Sequence, residues 1–444
     1  MPAQSYPDAL VLPDGGTTKD TAPLRIALLG YRSHPYSGGQ GVYLKYLSRA
    51  LARQGHKVEV ISGEPYPTLD KEVALKKLPG LNLFEAPNHL TALKLRHLLS
   101  LTDFFEWASM ASGGFPEPFT FGRRLKRFLD NNPDRYDVIH DNQSLCYALL
   151  RIQHKYPLVA TIHHPITSDR DIALENSDDP GERLLIRRWH NFLKMQIKVA
   201  KKLSSIITVS NNSKRDLLKD FGLEEDRIQV VYNGIDTNDF YPLKCCNESS
   251  LKNPLQLITT ASADQPLKGT RHLLRAMAEL REDFPQLRLN IIGALRPDGE
   301  NEKLIKALKL QSHISQHSDL STQQIRSLYA ESSIAVVPSD YEGFGLPAGE
   351  AMACGLPVVS TDGGALPEVL GRAGLVVPAK DPLALASAIR RLILDPKLRA
   401  NLAGQGLERV RTVFDWDRAA TETTAIYREQ IANHKSASHK VYAT

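Results

Sequence analysis

Short β-rich runs of apolar residues alternate with helical stretches along most of this 444-residue chain. The first run is LRIALLG at 24–30, and a second series of runs begins with LQLITTA at 255–261. Continuous apolar runs of this length suit strands buried on both faces, and their alternation with helices is typical of parallel, doubly wound sheets. The sequence therefore predicts an α/β protein. The predicted strands are 24–30, 57–62, 136–140, 158–164, 204–210, 227–236, 255–261, 287–293, 334–337 and 356–361.

The chain is too long for one hydrophobic core and suggests two domains of roughly 200 residues each. Polar and turn-forming residues at 241–254 predict a linker between them. The predicted organisation is a leader, a first domain, the linker, a second domain, and a C-terminal helix that crosses back toward the first domain and ends in a tail. In order, these segments are 1–23, 24–240, 241–254, 255–413 and 414–444.

The composition is that of an ordinary soluble globular protein, with 42% hydrophobic and 24% charged residues. A net charge of +5 is too small to indicate nucleic-acid binding. The four cysteines lack metal-ligand spacing and fit a reducing compartment. Neither a secretory signal pattern nor a membrane-spanning apolar run is present in the sequence. We therefore expect a soluble, cytoplasmic protein that is at most attached to a membrane surface.

The stretch EGFGLPAGE places two acids, Glu342 and Glu350, eight residues apart. A predicted strand precedes it, Pro347 suits the first position of a helix, and Gly355 suits a left-handed helix end. The pattern predicts a strand, a glycine-containing loop and a short helix, with Glu350 in the first helical turn. Such a loop directs backbone N–H groups and the positive helix end toward the carboxyl edge of the sheet. The alternative is a solvated acid plus an acid favoured by the helix dipole.

Five segments, taken in order, resemble the hallmarks of the GT-B retaining glycosyltransferases of family 4. They are SGGQGVYLKYLSRAL at 37–51, ITVSNNSKRDL at 207–217, RIQVVYNGIDTNDFYP at 227–242, LKG at 267–269 and PSDYEGFGLPAGEAMACGLPVVSTDGGALPEVL at 338–370. The resemblance runs from about residue 24 to about residue 431. It implies two Rossmann-like domains that face one another across a cleft.

The resemblance assigns roles to the two acids. The acid that matches Glu350 holds the ribose hydroxyls of the nucleotide, and the acid that matches Glu342 contacts the donor sugar. The backbone of Phe344, Gly345 and Leu346 is then expected to approach the sugar and diphosphate. The chemistry agrees, because a carboxylate accepts hydrogen bonds from a diol and small residues let the backbone come close to phosphate.

Lys268 matches the family lysine that neutralises the departing diphosphate. The family commonly has a Gly-Arg pair a few residues earlier, whereas this chain has Ser262 and Ala263. One charge-assisted phosphate contact is therefore missing, and Arg271 is a candidate to replace it. A solvated Lys-Gly turn is the alternative interpretation of Lys268.

Four residues of the first domain are also candidates. Gly38 and Gly39 match the glycine pair whose amides approach phosphate or acceptor, although they also suit a tight turn. His163 follows a predicted strand where the family often has a histidine near the reacting sugar, and His164 would point the other way. Asn233 begins an Asn-Gly turn with an expected donor contact. Two alternatives stay open: His163 as a structural hydrogen-bonding residue, and Asn233 as a turn residue only. Trp416 matches an aromatic of the C-terminal helix and is expected to serve packing rather than chemistry.

Residues 94–128 combine many aromatic and basic side chains. Such a surface favours contact with anionic lipid headgroups and would suit a lipid-linked acceptor. The alternative is a packed helical excursion with a solvated basic face.

The leading hypothesis is retaining transfer of a sugar from a nucleotide-diphosphate donor to a hydroxyl of a glycan, a lipid-linked or a small-molecule acceptor. The resemblance implies front-side attack, in which the departing phosphate takes the acceptor's proton. No suitably placed Asp-x-Asp triplet is present, so we predict metal independence and no cofactor beyond the nucleotide sugar. The alternatives are a nucleotide-sugar epimerase of the same architecture and a non-catalytic nucleotide-sugar-binding subunit.

Overall fold

The chain divides into two compact units. The computed structural model describes residues 22–34, 39–83, 85, 97, 99–243, 254–260 and 265–442. The first unit contains Ala22–Asn233 together with the segment that begins at Trp416, and the second contains Gly234–Asp415. Residues 234–243, which precede most of the predicted linker, thus pack with the second unit.

The first unit is built on a sheet of seven strands, and every strand pair in it is parallel. The strand order is β3-β2-β1-β4-β5-β6-β7. The strands are β1 (Arg25–Gly30), β2 (Lys57–Ser62), β3 (Ala74–Lys77), β4 (Val138–Asn142), β5 (Leu158–Ile162), β6 (Ile206–Thr208) and β7 (Ile228–Val230).

Helices cover both faces of this sheet. Along β1, Ile26 and Leu28 enter one apolar cluster while Ala27 and Leu29 enter the other, because successive side chains point to opposite faces. This two-sided burial explains why the strand reads as an unbroken apolar run. The helices of the first unit are α1 (Gly39–Arg53), α2 (Leu101–Ala111), α3 (Glu117–Asp130), α4 (Leu149–Ile152), α5 (Thr167–Glu175), α6 (Pro180–Trp189), α7 (Leu193–Ala200) and α8 (Asn211–Asp216).

The second unit has a six-stranded sheet, again parallel throughout, in the order β10-β9-β8-β11-β12-β13. Its strands are β8 (Gln256–Thr260), β9 (Arg288–Ile292), β10 (Ile314–His317), β11 (Ile334–Val337), β12 (Val358–Thr361) and β13 (Gly374–Val377). Its helices are α9 (Thr270–Asp283), α10 (Glu300–Ala307), α11 (Thr322–Glu331), α12 (Leu346–Ala353), α13 (Leu366–Leu370), α14 (Pro382–Leu394) and α15 (Pro396–Val413). Two parallel-sheet α/β domains are therefore confirmed.

Both sheets have a point where the strand order reverses. In the first unit it lies between β1 and β4, and in the second between β8 and β11. Ligands of open α/β sheets bind outside the carboxyl ends of the strands at such points, because the connecting helices leave on opposite faces there. The topology therefore directs attention to the loops that follow these four strands.

The C-terminal helix, α16 (Trp416–Tyr442), packs against the first unit. Trp416 is buried at its start and stacks on Tyr46 with ring centroids 5.8 Å apart. Farther along, the Tyr427 hydroxyl lies 2.5 Å from Nδ1 of His140 in β4. Trp416 is a packing residue, as the sequence predicts.

Among the described residues, no helix is both long enough and apolar enough to cross a membrane.

Candidate active site

Lys268 lies in the turn that follows β8. The segment Pro266–Lys268 forms one short helical turn, Gly269 adopts a left-handed conformation with φ +61°, and α9 begins at the next residue. The Lys268 ammonium is 2.8 Å from Oε1 of Glu342, in an ion pair whose side chains are 20% and 11% exposed. The structure thus brings together the two residues that the sequence predicts as catalytic in this unit.

Glu342 lies in the loop between β11 and α12 and is held there from a second side. The Ser339 hydroxyl donates to the same oxygen, Oε1, at 2.8 Å. The backbone N–H of Asp340 donates to the carbonyl of Leu267 at 2.8 Å. The loop after β11 is therefore hydrogen-bonded directly to the turn after β8.

Close backbone contact between these two segments requires glycine at position 269. A Cβ atom on Gly269 would lie 1.9 Å from the carbonyl oxygen of Pro338, well inside van der Waals contact. The positive φ adds a conformational cost for any other residue. The glycine of the LKG motif thus lets the lysine turn lie against the acidic loop.

Arg271 does not extend freely from α9. Its guanidinium is 2.8 Å from Oδ2 of Asp340, whose carboxylate is fully buried, and it also donates to the carbonyl of Pro266. His272 places Nε2 3.4 Å from Oδ1 of the same carboxylate. Arg271 is therefore ion-paired with Asp340, next to the turn that carries Lys268. Ser262 and Ala263 lie outside the described residues.

Phe344, Gly345 and Leu346 form the junction between loop and helix. The Phe344 side chain is buried and packs edge-on against Phe414 with ring centroids 5.4 Å apart. Only the backbone of Phe344 is therefore available to a ligand. Gly345 has φ +99°, and Leu346 is the first residue of α12. The positive end of a short helix thus follows the loop directly.

Glu350 lies in the second turn of α12 rather than the first, because the helix begins at Leu346. Burial of its carboxyl raises the pKa of Glu350 to about 8, although a hydrogen bond with Tyr329 acts in the opposite direction. The Tyr329 hydroxyl is also 3.3 Å from Oγ1 of Thr260 at the end of β8. Glu350 keeps some exposed surface, so a ligand can reach it.

In the first unit, the candidates lie in loops after β1 and β5. Gly39 is the first residue of α1, whereas Gly38 lies outside the described residues. His163 directly follows β5; its Nε2 is 2.7 Å from Oδ1 of Asn142, and its ring lies edge-on to Tyr43 with centroids 4.8 Å apart. His164 points to a different partner, Asp169, at 3.2 Å.

Asn233 is the last residue of the first unit before the chain enters the second. It is 4% exposed, and none of the described residues donates a hydrogen bond to its Oδ1. Residues 231–236 form no assigned turn, so Asn233 is a buried residue of an irregular segment rather than part of the predicted Asn-Gly turn.

Sequence reasoning missed the residues that hold the predicted ones in place. They are Ser339, Asp340, Tyr329, Asn142 and Gln143. Four of the five lie at the carboxyl ends of the buried strands β4 and β11, because Asn142 ends β4, Gln143 follows it, and Ser339 and Asp340 are two and three residues past β11. That position is itself a signal that could have identified them. Tyr329, in α11, carries no comparable local signal.

Within the described ranges, no group of three or more His, Cys, Asp or Glu side chains is placed to hold a metal ion.

Two α/β domains, each built on a parallel doubly wound sheet, are the architecture of glycosyltransferases of the GT-B type. Family models described as "Glycosyltransferase Family 4" and "Glycosyl transferases group 1" match residues 37–239 and 247–409. A relative from Mycolicibacterium hassiacum, named MMP alpha-(1->4)-mannosyltransferase, is 42% identical over 92% of this chain and 99% of its own length. The chain belongs to this family of glycosyltransferases.

More distant similarity extends over the same length. A D-inositol 3-phosphate glycosyltransferase from Streptomyces avermitilis is 27% identical over 93% of this chain and 89% of its own. The solved structure of a sucrose-phosphate synthase from Thermosynechococcus elongatus superposes with a TM-score of 0.70 at 23% identity, over 92% of this chain and 100% of that one. The last similarity establishes the fold.

We expect Gly269→Ala to destabilise the second unit and weaken donor binding, because the new Cβ would collide with the Pro338 carbonyl. The strain of a non-glycine residue at positive φ alone costs about 1–2 kcal/mol. Denaturant unfolding and calorimetric titration with a nucleotide sugar measure the two effects.

Gly404→Ala is the matched control. Gly404 is an exposed residue inside α15, and a Cβ there meets no atom within 4 Å. This variant should be more stable than the natural chain by up to about 1 kcal/mol, since alanine favours helix. If Gly269→Ala kept the stability and donor affinity of the natural chain, the assigned close contact with the Pro338 carbonyl would be contradicted.

Proposed function

We propose that this glycosyltransferase moves mannose from a nucleoside-diphosphate mannose to the 4-hydroxyl of an α-mannoside acceptor, with retention and without a metal ion. The observation that carries the site assignment is the Lys268–Glu342 ion pair at the β8/β11 switch point. The choice of sugar and linkage rests on the 42%-identical relative, whose name specifies α-(1→4) mannosyl transfer.

The second unit offers a set of contacts suited to a nucleoside diphosphate. Glu350, when ionised, can accept hydrogen bonds from both ribose hydroxyls. The N-terminus of α12 and the backbone around Gly345 offer N–H groups and positive potential to the diphosphate. Lys268 supplies a full positive charge at the same edge of the sheet.

Lys268 is placed to stabilise the negative charge that develops on the leaving diphosphate during the reaction. When the bond between the sugar and the diphosphate breaks, negative charge accumulates on the leaving phosphate oxygen. The ammonium is already oriented by Glu342, so little reorganisation is needed to stabilise that charge. Only stabilisation that is larger in the transition state than in the bound substrate increases the chemical rate.

Retention follows from the chemistry of the proposed substrates. Nucleoside-diphosphate mannoses carry the sugar as the α-anomer, so an α-linked product keeps the configuration. We infer front-side attack, in which the acceptor hydroxyl approaches on the side of the leaving diphosphate and gives its proton to the departing phosphate oxygen. The protein's contribution is then positioning and electrostatic stabilisation.

Metal independence is proposed because protein groups can supply the positive charge that a cation would otherwise provide. Lys268 and the start of α12 both contribute it at the diphosphate position. Epimerisation and nucleotide-sugar binding without turnover are less favoured, since the relatives at 42% and 27% identity are both named as transferases.

The direct test incubates the purified chain with a panel of nucleoside-diphosphate mannoses and glucoses, a methyl α-mannoside or α-mannobiose acceptor, and excess chelator. We expect an α-(1→4) mannosylated product by NMR, formed at the same rate with and without chelator. A β-linked product would refute retention, and activity that returns only with added magnesium or manganese would refute metal independence. An epimerised donor in the absence of acceptor would favour the epimerase alternative.

Lys268→Ala should lower kcat by about a hundredfold or more, the effect typical of removing one preorganised stabilising group. The donor dissociation constant should worsen less than kcat, because the charge develops in the transition state. Steady-state kinetics and calorimetric titration separate the two quantities.

Lys306→Ala is the control, since Lys306 also forms an ion pair with a glutamate, Glu302, at 2.6 Å but on an exposed helix face. Its kinetic constants should match those of the natural chain. A Lys268→Ala enzyme with nearly full kcat would remove the leaving-group role from this lysine.

We also propose that the region 94–128 contacts anionic lipid. Leu101, Phe104 and Phe105 share one face of α2 and are 78%, 44% and 45% exposed. The acid Glu106 on that helix is paired with Arg124 at 2.6 Å. Asp103 of the same helix pairs with Arg124 as well, so the exposed basic residues in the described part of this region are Arg123 and Arg127 in α3. An apolar face together with exposed arginines favours headgroup binding.

Co-sedimentation with phosphatidylglycerol vesicles should occur at low ionic strength and weaken as salt screens the attraction. The double substitution Phe104→Ser and Phe105→Ser should abolish it, whereas Leu383→Ser, at a site 67% exposed in the second unit, should not. If the chain did not sediment with the vesicles at low salt, the proposed lipid contact would be refuted. The proposed acceptor would then be a soluble glycan.

A further inference from the structure

The loop that follows β4 has an unusual backbone for a buried segment. Gln143 and Leu145 have φ of +56° and +45°, although neither is glycine and both are at most 2% exposed. Each such residue costs on the order of 1 kcal/mol or more, so the surrounding contacts must hold it. The carboxylate of Asp141 accepts from the Ser144 hydroxyl and, at 3.0 Å, from the N–H of Leu145.

The Gln143 side chain uses this backbone turn to bridge two strands. Its Oε1 accepts from the N–H of His163 at 2.7 Å, and its Nε2 donates to the carbonyl of His164 at 2.8 Å. The β4–β5 ladder pairs Asn142 with Thr161 and then ends, because the backbone turns away at Gln143. The carboxamide therefore replaces a peptide unit and continues the ladder to the histidine.

Asn142 determines which nitrogen of His163 carries the proton. Its Nδ2 donates to the carbonyl of Gln40 at 3.1 Å, which fixes the orientation of the amide. Its Oδ1 therefore faces Nε2 of His163, at 2.7 Å, and can only accept. Nε2 must then be the protonated nitrogen, and Nδ1 is left with a lone pair.

The surroundings of His163 keep the imidazole neutral. Burial is the largest cause that lowers the pKa of His163, to about 3, and the imidazoles of His164 and His140 disfavour its positive form further. From α1, Tyr43 presents its ring rather than a charge, and after β5 the carboxylate of Asp169 is bound to His164. No hydrogen bond from the described residues reaches Nδ1, while His163 as a whole keeps some exposed surface.

We propose that Asn142 and Gln143 are positioning residues that hold His163 as the Nε2–H tautomer and present its Nδ1 as a hydrogen-bond acceptor to a sugar hydroxyl. The inference rests on the proposed function, because it assumes that a sugar occupies the site beyond β5. It assigns the strained loop after β4 a role in substrate orientation. With Nδ1 unprotonated, the sugar hydroxyl must donate its O–H to the imidazole, whereas an N–H at Nδ1 would require the hydroxyl oxygen to accept.

The first test is spectroscopic and needs no turnover. Nitrogen NMR shifts of the imidazoles, with the His163 signal assigned by its loss in His163→Gln, should show protonation on Nε2 and no titration between pH 5.5 and 8, roughly the range in which an unperturbed histidine titrates. Protonation on Nδ1 would overturn the proposal, whether or not the chain transfers mannose.

The second test changes the acceptor atom into a charge. In Asn142→Asp the carboxylate still accepts from Nε2, but a nearby negative charge favours the imidazolium and raises the pKa of His163 by about 1–3 units or more. Below the raised pKa, Nδ1 becomes a donor, so kcat/KM should fall on the acid side by about tenfold per pH unit and recover as the pH rises. The profile is measured for the acceptor at saturating donor, so that protonation of free Glu350 does not enter it, and under that condition the natural chain should show no such limb.

Asn290→Asp is the matched control, because Asn290 in β9 also faces a histidine, with Oδ1 3.3 Å from Nε2 of His317. It should leave the pH profile of kcat/KM unchanged. If Asn142→Asp and the natural chain have the same profile while both transfer sugar, the positioning role is wrong and the proposed function stands. If the natural chain transfers no sugar, the NMR result alone decides the tautomer.

Gln143→Gly separates positioning from folding. Glycine tolerates the left-handed backbone, so the strain is relieved while the two bridging hydrogen bonds are lost. We expect a folded chain with a lowered melting temperature, because relief of the strain offsets only part of the cost of the two lost hydrogen bonds. The kcat should fall about tenfold or more, as for a misplaced reacting group. Natural kcat in a folded Gln143→Gly chain would show that the bridge is structural only. A comparison of KM for donor and acceptor would identify which sugar meets Nδ1.

Discussion

The parallel pairing of β8 with β11 is the constraint on which the donor site depends. Parallel strands place their carboxyl ends on one edge, so the turn after β8 and the loop after β11 must meet there. Lys268 and Glu342 are 74 positions apart in the sequence, yet their charged groups lie 2.8 Å apart. A hydrogen bond from Asp340 to Leu267 and the missing side chain of Gly269 bring the two backbones into contact.

In the first unit, too, the candidate residues lie where loops follow parallel strands, but the side chains are different. Its reversal of strand order lies between β1 and β4, and the adjoining β5 ends at His163. Among the described residues, no ion pair joins the loops after β4 and β5; the carboxamides of Asn142 and Gln143 join them instead, through neutral groups of His163 and His164. The second unit thus offers positive charge suited to a diphosphate, whereas the first unit offers neutral hydrogen-bonding groups suited to hydroxyls.

Two titratable groups of the candidate site, Glu350 and His163, respond oppositely to partial burial. Burial raises the pKa of Glu350 to about 8 and lowers the pKa of His163 to about 3, because a low-dielectric site disfavours the charged form of either group. His163 is therefore neutral across the physiological range. Glu350 has its pKa close to neutral pH, and hydrogen bonds donated by ribose hydroxyls would favour its ionised form.

The sequence by itself determined the buried strands, the two-domain organisation and the residues of the glycine-containing acidic loop, because two-sided burial and turn chemistry leave local patterns. It missed β3, β10 and β13, which lie at the sheet edges where short, partly exposed strands lack a continuous apolar run. Only the tertiary structure decided that Arg271 pairs with Asp340, that Tyr329 reaches Glu350, and that Asn142 and Gln143 hold His163. These contacts join elements up to 69 residues apart, and side-chain direction across such distances is set by packing rather than by local sequence.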